Sequence, residues 1–289
     1  MTDRENQGIH LDQNRIAIRQ RSFVDVLDLA LRTIRVYTWQ LAAAFALGVL
    51  PIMALNAWLL ADFAEPDVEI PLPSETVVYM PGTYMMYMVV LLFFEVPLAT
   101  APITLYLGQA LFTDRPQMKK MVGAYFRSLS QLLSYQLVLR VLLVVLSCGT
   151  LGFLPFVFWP YLSEVILLER NPMWSGRQRR ITTQRRTFAL HGRSTGDLFV
   201  RWMGATIVGV LLVCSAWLSI WVAGGMLLND WAWEGPAYTV CFPLALWLVA
   251  GYLAVVRFLA YLDLRIRREG WEVELMVRAE EARLTRRLA

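Results

Sequence analysis

The stretch AYTVCFPLALWLVAGYLAVVRFLAYL, residues 237–262, decides the fold. It carries a single charged residue, Arg257, and is followed at once by Asp263, Arg265, Arg267 and Arg268. About 20 apolar residues suffice for a helix to cross the hydrocarbon core of a bilayer, so the segment reads as a transmembrane helix with its charged exit in water. Five more apolar blocks precede it, at 38–60, 84–112, 132–148, 151–168 and 198–228. Composition agrees: 57% of the 289 residues are hydrophobic and 17% are charged, against about 45–50% and about 25% in soluble domains. The expected fold class is all-α, a polytopic transmembrane bundle of six spans. The third and fourth blocks are near the lower length limit and share the tight turn Cys148-Gly149-Thr150, which leaves a re-entrant hairpin open as an alternative to two full crossings.

Lysine and arginine in the loops set the orientation, because cytoplasmic loops retain them. Residues 1–36, 113–131, 169–197 and 263–289 hold 24 of the 27 basic residues. The loops 61–83, 149–150 and 229–236 hold none, and carry Asp62, Glu65, Asp67, Glu69, Glu75, Asp230 and Glu234 instead. Both termini are therefore expected in the cytoplasm of a bacterial inner-membrane protein. The domain division is a cytoplasmic N-terminal segment (1–36), a six-helix membrane domain (37–262) and a helical cytoplasmic tail (263–289). The polar N-terminal segment lacks the short apolar region and cleavage site of a signal peptide.

Three inner segments have the pattern of interfacial amphipathic helices. In the first, Ser22 and Asp25 fit a capping box, Phe23, Leu27, Ala30 and Ile34 share a face, and Asp28 can pair with Arg32. In the second, Asp114 can cap, Pro116 suits the first turn, and Met118, Met121, Val122, Tyr125, Phe126 and Leu129 recur at helical spacing. The third is thinner: Trp174, Ile181 and Phe188 recur every seven residues, and Ser194 with Asp197 can cap the fifth span. In the tail, Trp271, Leu275, Ala279 and Ala282 form an apolar row beyond a Gly270 hinge.

Particular patches carry a resemblance. Arg19-Gln20-Arg21-Ser22-Phe23-Val24-Asp25-Val26-Leu27-Asp28, with Leu31-Arg32 and Pro51, resembles the opening of bacterial six-span proteins related to the glycerophosphoryl diester phosphodiesterase membrane-domain family. Ile166-Leu167-Leu168-Glu169 before an arginine-rich loop is similar to that family's fourth-span exit. Tyr261-Leu262-Asp263-Leu264-Arg265-Ile266-Arg267-Arg268-Glu269-Gly270-Trp271-Glu272-Val273-Glu274-Leu275 is similar to its endings, although Glu272 stands where aspartate is expected. The resemblance implies an inner-membrane protein without the phosphodiesterase domain itself.

Within the spans, Glu95 is the most unusual residue, since a carboxylate in hydrocarbon costs several kcal/mol unless paired, neutralised or hydrated. Arg140 in the third span is its expected partner, with Glu164 competing for the same arginine. A structural ion pair between packed helices is preferred to a proton- or ion-responsive site. Arg201 and Arg257 are expected to snorkel toward the inner surface. Pro51, Pro97, Pro102, Pro155, Pro160 and Pro243 favour kinks, which membrane helices tolerate and broken-helix transporters exploit. In the loop from Arg170 to Arg193, the guanidinium groups of Arg177, Arg179, Arg180, Arg185 and Arg186 suit anionic lipid headgroups better than nucleic acid.

The inventory points away from catalysis. Neither His10 nor His191 lies in an apolar block, no metal-ligand spacing occurs, and P-loop and dinucleotide fingerprints are missing from the sequence. Cys148, Cys214 and Cys241 read as apolar filler, with a Cys148 to Cys241 disulfide as the lesser alternative. The expected function is a non-enzymatic membrane module without a cofactor, binding membrane lipids or an envelope protein partner. Transport of a small solute or lipid is the alternative.

Overall fold

The computed structural model describes residues 22–65, 67–71, 77–113, 116–146, 159–172, 181–192, 195–229 and 236–269. These are helical apart from a short antiparallel hairpin, β1 (Val68–Pro71) paired with β2 (Val77–Met80), with Val68 opposite Met80. Four helices are long and apolar enough to cross a membrane: Thr38–Leu59, Gly82–Leu111, Gly196–Leu227 and Ala237–Arg267. They coincide with the first, second, fifth and sixth expected spans. The end of the bundle bearing the hairpin is called the hairpin end below, and the end bearing Asp263 and Arg267 the basic end.

Helix α1 (Phe23–Val36) starts in a complete capping box, the Ser22 hydroxyl accepting from Asp25 N–H and the Asp25 carboxylate accepting from Ser22 N–H. Asp28 pairs with Arg32 at 2.8 Å. Its contact face is centred on Val26, Ala30 and Thr33, with Leu27 and Ile34 half-buried beside them. The helix is thus docked on the bundle, and Phe23 packs close to Gly204. Helix α2 (Thr38–Leu59) follows after Tyr37 and runs through Pro51 without a break.

The second long rod is α3 (Gly82–Ala99) and α4 (Ala101–Phe112), interrupted at Thr100. Pro102 causes the interruption, because it has no N–H to offer the Leu98 carbonyl four residues back. The Ile103 N–H turns to the Thr100 carbonyl instead, at 3.1 Å. At that level α2 presents Gly48, where an added Cβ would stand 2.0 Å from the Ala99 carbonyl oxygen. Only glycine permits this approach of two backbones.

Helix α5 (Met118–Leu132) passes through a wide π-helical stretch, Leu133–Val138, into α6 (Leu139–Leu146). The expected second interfacial helix and third span are therefore one continuous rod, because nothing between Ser128 and Ser134 stops a helix. It begins at Met118, after Pro116, and its N-cap Gln117 makes no side-chain capping bond. Asp114, the turn at 148–150 and the first half of the fourth block lie outside the described residues. The rest of that block forms α7 (Leu162–Glu164) and a second π stretch, Val165–Glu169, buried through Leu167. The third interfacial segment is α8 (Thr183–His191). Its expected apolar row faces outward, with Ile181 and Phe188 exposed, while Thr183, Thr187, Leu190 and His191 are buried. Polar groups waiting inside the bundle, described below, explain this inversion. Trp174, Ser194 and the tail from Gly270 onward lie outside the described residues.

Helix α9 (Thr195–Leu228) and α10 (Phe242–Glu269), the latter entered through a third π stretch Ala237–Cys241, complete the chain. Helix α10 is central, packing on α1, α2, α3, α4, α8 and α9. Trp247, Phe258 and Tyr261 are its large, fully buried side chains. Cys241 is a buried free thiol, as apolar filler would be.

Candidate functional site

The break at Thr100 positions a charged pair inside the bundle. Arg257 Nε donates to Glu164 Oε1 at 2.6 Å, and its Nη2 donates to Thr100 Oγ1 at 3.3 Å. Glu164 is fully buried. Thr100 follows Ala99, whose carbonyl faces Gly48, the eleventh of the 22 residues of α2, so the pair lies near the middle of the bundle. Beside it the buried Gln136 amide donates to Ser163 Oγ at 2.8 Å, tying the π stretch after α5 to α7. Arg257 therefore does not snorkel. A carboxylate on the facing helix solves its desolvation in place, where reaching the surface would cost the pairing.

Glu95 has a neighbour that the sequence reading did not name. Asn56 Nδ2 donates to Glu95 Oε2 at 2.6 Å, with Asn56 wholly buried and its Oδ1 without a hydrogen-bond partner. Arg140 lies on α6, next to the π stretch that packs on α3, and its side chain is outside the described residues. Sequence reasoning missed Asn56. Its signal was an amide near the end of a span whose other amide, Gln40, stands near the start.

At the basic end Glu169 is a hub. Arg186 grips it with two bonds, Nε at 2.5 Å and Nη2 at 3.0 Å, while the Tyr261 hydroxyl and the Asn171 amide donate at 2.9 and 3.1 Å. Burial would raise the Glu169 carboxyl, but the bonds from Arg186 and Tyr261 and the nearby charges of Arg186 and Arg265 outweigh it and hold the group below the usual carboxylate range. Arg170 follows in the left-handed region at φ 51°. Gln131 Nε2 donates to the Asn171 carbonyl and to Thr183 Oγ1, which brings α5 and α8 to the same junction.

Two further groups of contacts lock this end. His191 Nδ1 lies 2.7 Å from the Thr187 carbonyl, and Tyr161 N–H donates to His191 Nε2 at 3.4 Å. A carbonyl only accepts and an amide N–H only donates, so the ring is the neutral Nδ1–H tautomer. Arg201 pairs with Asp197 at 3.2 Å and with Asp263 at 3.1 Å, and Arg267 reaches Asp263 at 2.9 Å. Arg201 therefore does not snorkel either, being only 12% exposed between two carboxylates.

Of the arginines expected at headgroups, Arg186 pairs with Glu169. Arg185 is exposed on α8, and Arg177, Arg179 and Arg180 lie outside the described residues. No group of three or more histidine, cysteine, aspartate or glutamate side chains that could hold a metal occurs among the described residues. The polar interior thus consists of helix-to-helix ties: Glu164 with Arg257, Glu95 with Asn56, Glu169 with Arg186 and Tyr261. Comparison of the chain with protein-family models, with curated proteins and with solved structures finds no match.

Proposed function

We propose that the chain is a six-span protein of a bacterial cytoplasmic membrane, with both termini inside, acting as a non-enzymatic accessory module that binds lipid or an envelope protein partner. One observation carries this reading: the described buried carboxylates Glu164 and Asp263 are tied to arginines of other helices, while the loop cations gather at one end of the chain's topology. Interior charge then serves packing, and surface charge is left to meet a membrane or a partner. Kinship with the glycerophosphoryl diester phosphodiesterase membrane-domain proteins belongs to the same proposal.

Transport of a small solute or lipid is the second reading, favoured by the Glu95 and Asn56 pair with its unpartnered Asn56 oxygen. Reconstitution in liposomes separates the two. The accessory reading expects no flux of solute or fluorescent lipid above empty vesicles, and a stable partner or lipid retained through purification in mild detergent. Flux that Glu95→Gln abolishes would replace it with the transporter. Reporter fusions after Glu75 and Glu234 are expected to report the outer side, and fusions after Gly176 and Leu288 the cytoplasm.

A further inference from the structure

Where α4 ends and α5 begins, at the basic end, a cleft of about 550 Å³ is lined by Lys119, Lys120, Arg127, Arg170, Gln109 and Gly123 among others, with no carboxylate on its walls among the described residues. None of the four cations has an ion-pair partner among the described residues. Three independent features of the backbone aim the site at an anion. Helix α5 opens with Lys119 and Lys120 in its first turn, with no acidic residue there and no side-chain cap. The positive end of the helix dipole and two ammonium groups therefore share one place, an arrangement that is unfavourable alone and favourable around bound negative charge. Arg170 is held at φ 51°, a conformation that side chains other than glycine and asparagine rarely adopt, at the rim of the cleft. A Cβ at Gly123 would meet nothing within 4 Å, so the wall between Lys120 and Arg127, one turn to either side, is open.

We propose that this cleft binds a phosphate group, carried by a phospholipid headgroup or free in solution. Lysines and arginine on successive turns of α5 would surround the phosphate oxygens, Arg170 would close from the facing segment as a bidentate donor, and N–H groups of the first turn of α5, beyond the Gln117 N–H that donates to Gln109 Oε1 at 3.2 Å, would complete the shell. The proposal depends on the lipid-binding reading above only for the lipid source.

The test uses the full chain in a neutral detergent, titrated separately with inorganic phosphate, short-chain phosphatidylglycerol and short-chain phosphatidylcholine, with affinity read by calorimetry and stability by thermal unfolding. Phosphatidylglycerol or phosphate is expected to bind, and Lys120→Gln and Arg127→Gln to weaken it about five-fold each. Gly123→Leu should block binding without changing charge. Arg170→Gly is the decisive variant, since it relieves the left-handed backbone: affinity should fall while unfolding without ligand is unchanged or later. Equal response to inorganic phosphate assigns the free ion, and response to the lipid alone assigns the headgroup. Failure of both phosphate and phosphatidylglycerol to bind would overturn the proposal. Phosphatidylglycerol binding that is undiminished in the Lys120→Gln, Arg127→Gln double variant would overturn the cleft and leave lipid binding standing elsewhere on the protein.

Discussion

The spans Gly196–Leu227, within α9, and Ala237–Arg267, the π stretch together with most of α10, are nearly equal in length and in mean hydropathy, yet only 6% of the apolar window of the first is buried within the protein against 67% for the second. Val200, Met203, Ile207, Val210, Leu211 and Leu218 of α9 point away from the bundle, whereas Trp247, Phe258 and Tyr261 of α10 are sealed inside it. Water would penalise the first arrangement, but lipid tails are as apolar as leucine and do not. The difference lies in the polar groups. Helix α10 carries Tyr252, Arg257, Tyr261 and Asp263, each bonded to another segment, and Gly251 leaves room for the Phe45 ring. In α9 such ties are made by Arg201 and Trp217. Polar anchors, more than hydrophobicity, decide which helix holds the centre.

The largest expected effect follows from removing one anchor of α10. Arg257→Gln strands the fully buried Glu164 carboxylate, and Glu164→Gln strands the arginine, so each is expected to cost about 3–5 kcal/mol. The double variant should cost clearly less than the sum, because the second change removes the charge that the first left unpaired. Unfolding in detergent or bicelles, run as a double-mutant cycle, measures this. Simple additivity would mean that the pair does not hold α10 at the centre.

A smaller contrast compares side chains of the two helices directly. Phe258→Ala should destabilise by about 3 kcal/mol through the cavity it leaves, while Leu211→Ala, on the exposed face of α9, should stay within about 0.5 kcal/mol. A large effect at Leu211 in a native membrane but not in detergent would break the comparison, and would place a partner on that face.

The sequence made legible what solvent and spacing determine. Four long helices, the capping box at Ser22, the Asp28 to Arg32 pair and the interruption near Pro97 and Pro102 all follow from local chemistry that is printed in consecutive residues. The ties between helices were not legible, because Arg257 and Glu164 are 93 positions apart and several carboxylates were eligible. Snorkelling was the expectation for Arg201 and Arg257 because depth along one helix is readable while the neighbour across it is not. The inverted face of α8 has the same cause: Thr183 and His191 face inward because Gln131, the Asn171 carbonyl and the Tyr161 N–H await them. Gly48 reads as one small residue among several alanines until the Ala99 carbonyl is set against it.

The smallest expected effect sharpens the comparison at the hairpin end. There the π stretch leading into α10 is held from both sides, the Tyr84 hydroxyl of α3 donating to the Thr239 carbonyl at 3.0 Å and Trp217 Nε1 of α9 donating to the Ala237 carbonyl at 2.9 Å. Of these two neighbours, α3 has a titratable cap. Asp67 Oδ1 accepts from Gly82 N–H at 2.6 Å and Oδ2 from Thr83 N–H at 3.0 Å, at the first turn of α3. Hydrogen bonding, first from the Thr83 side chain and then from these backbone groups, holds the Asp67 carboxyl below its ordinary value. A depressed carboxylate adds stability that is present above its unfolded value near 3.8 and is lost as pH falls through the lower, folded value. Hydrogen exchange at the Gly82 and Thr83 amides, corrected for intrinsic rates, should therefore show protection that falls away as the solution is acidified through that range. Amides in the middle of α9 should not change. Asp67→Asn keeps an acceptor oxygen but cannot titrate, so its amides should show weaker protection with the pH dependence removed. If wild-type protection at Gly82 and Thr83 is flat across the acid range, Asp67 does not cap α3, and the grip of Tyr84 and Trp217 on the entrance to α10 does not depend on it.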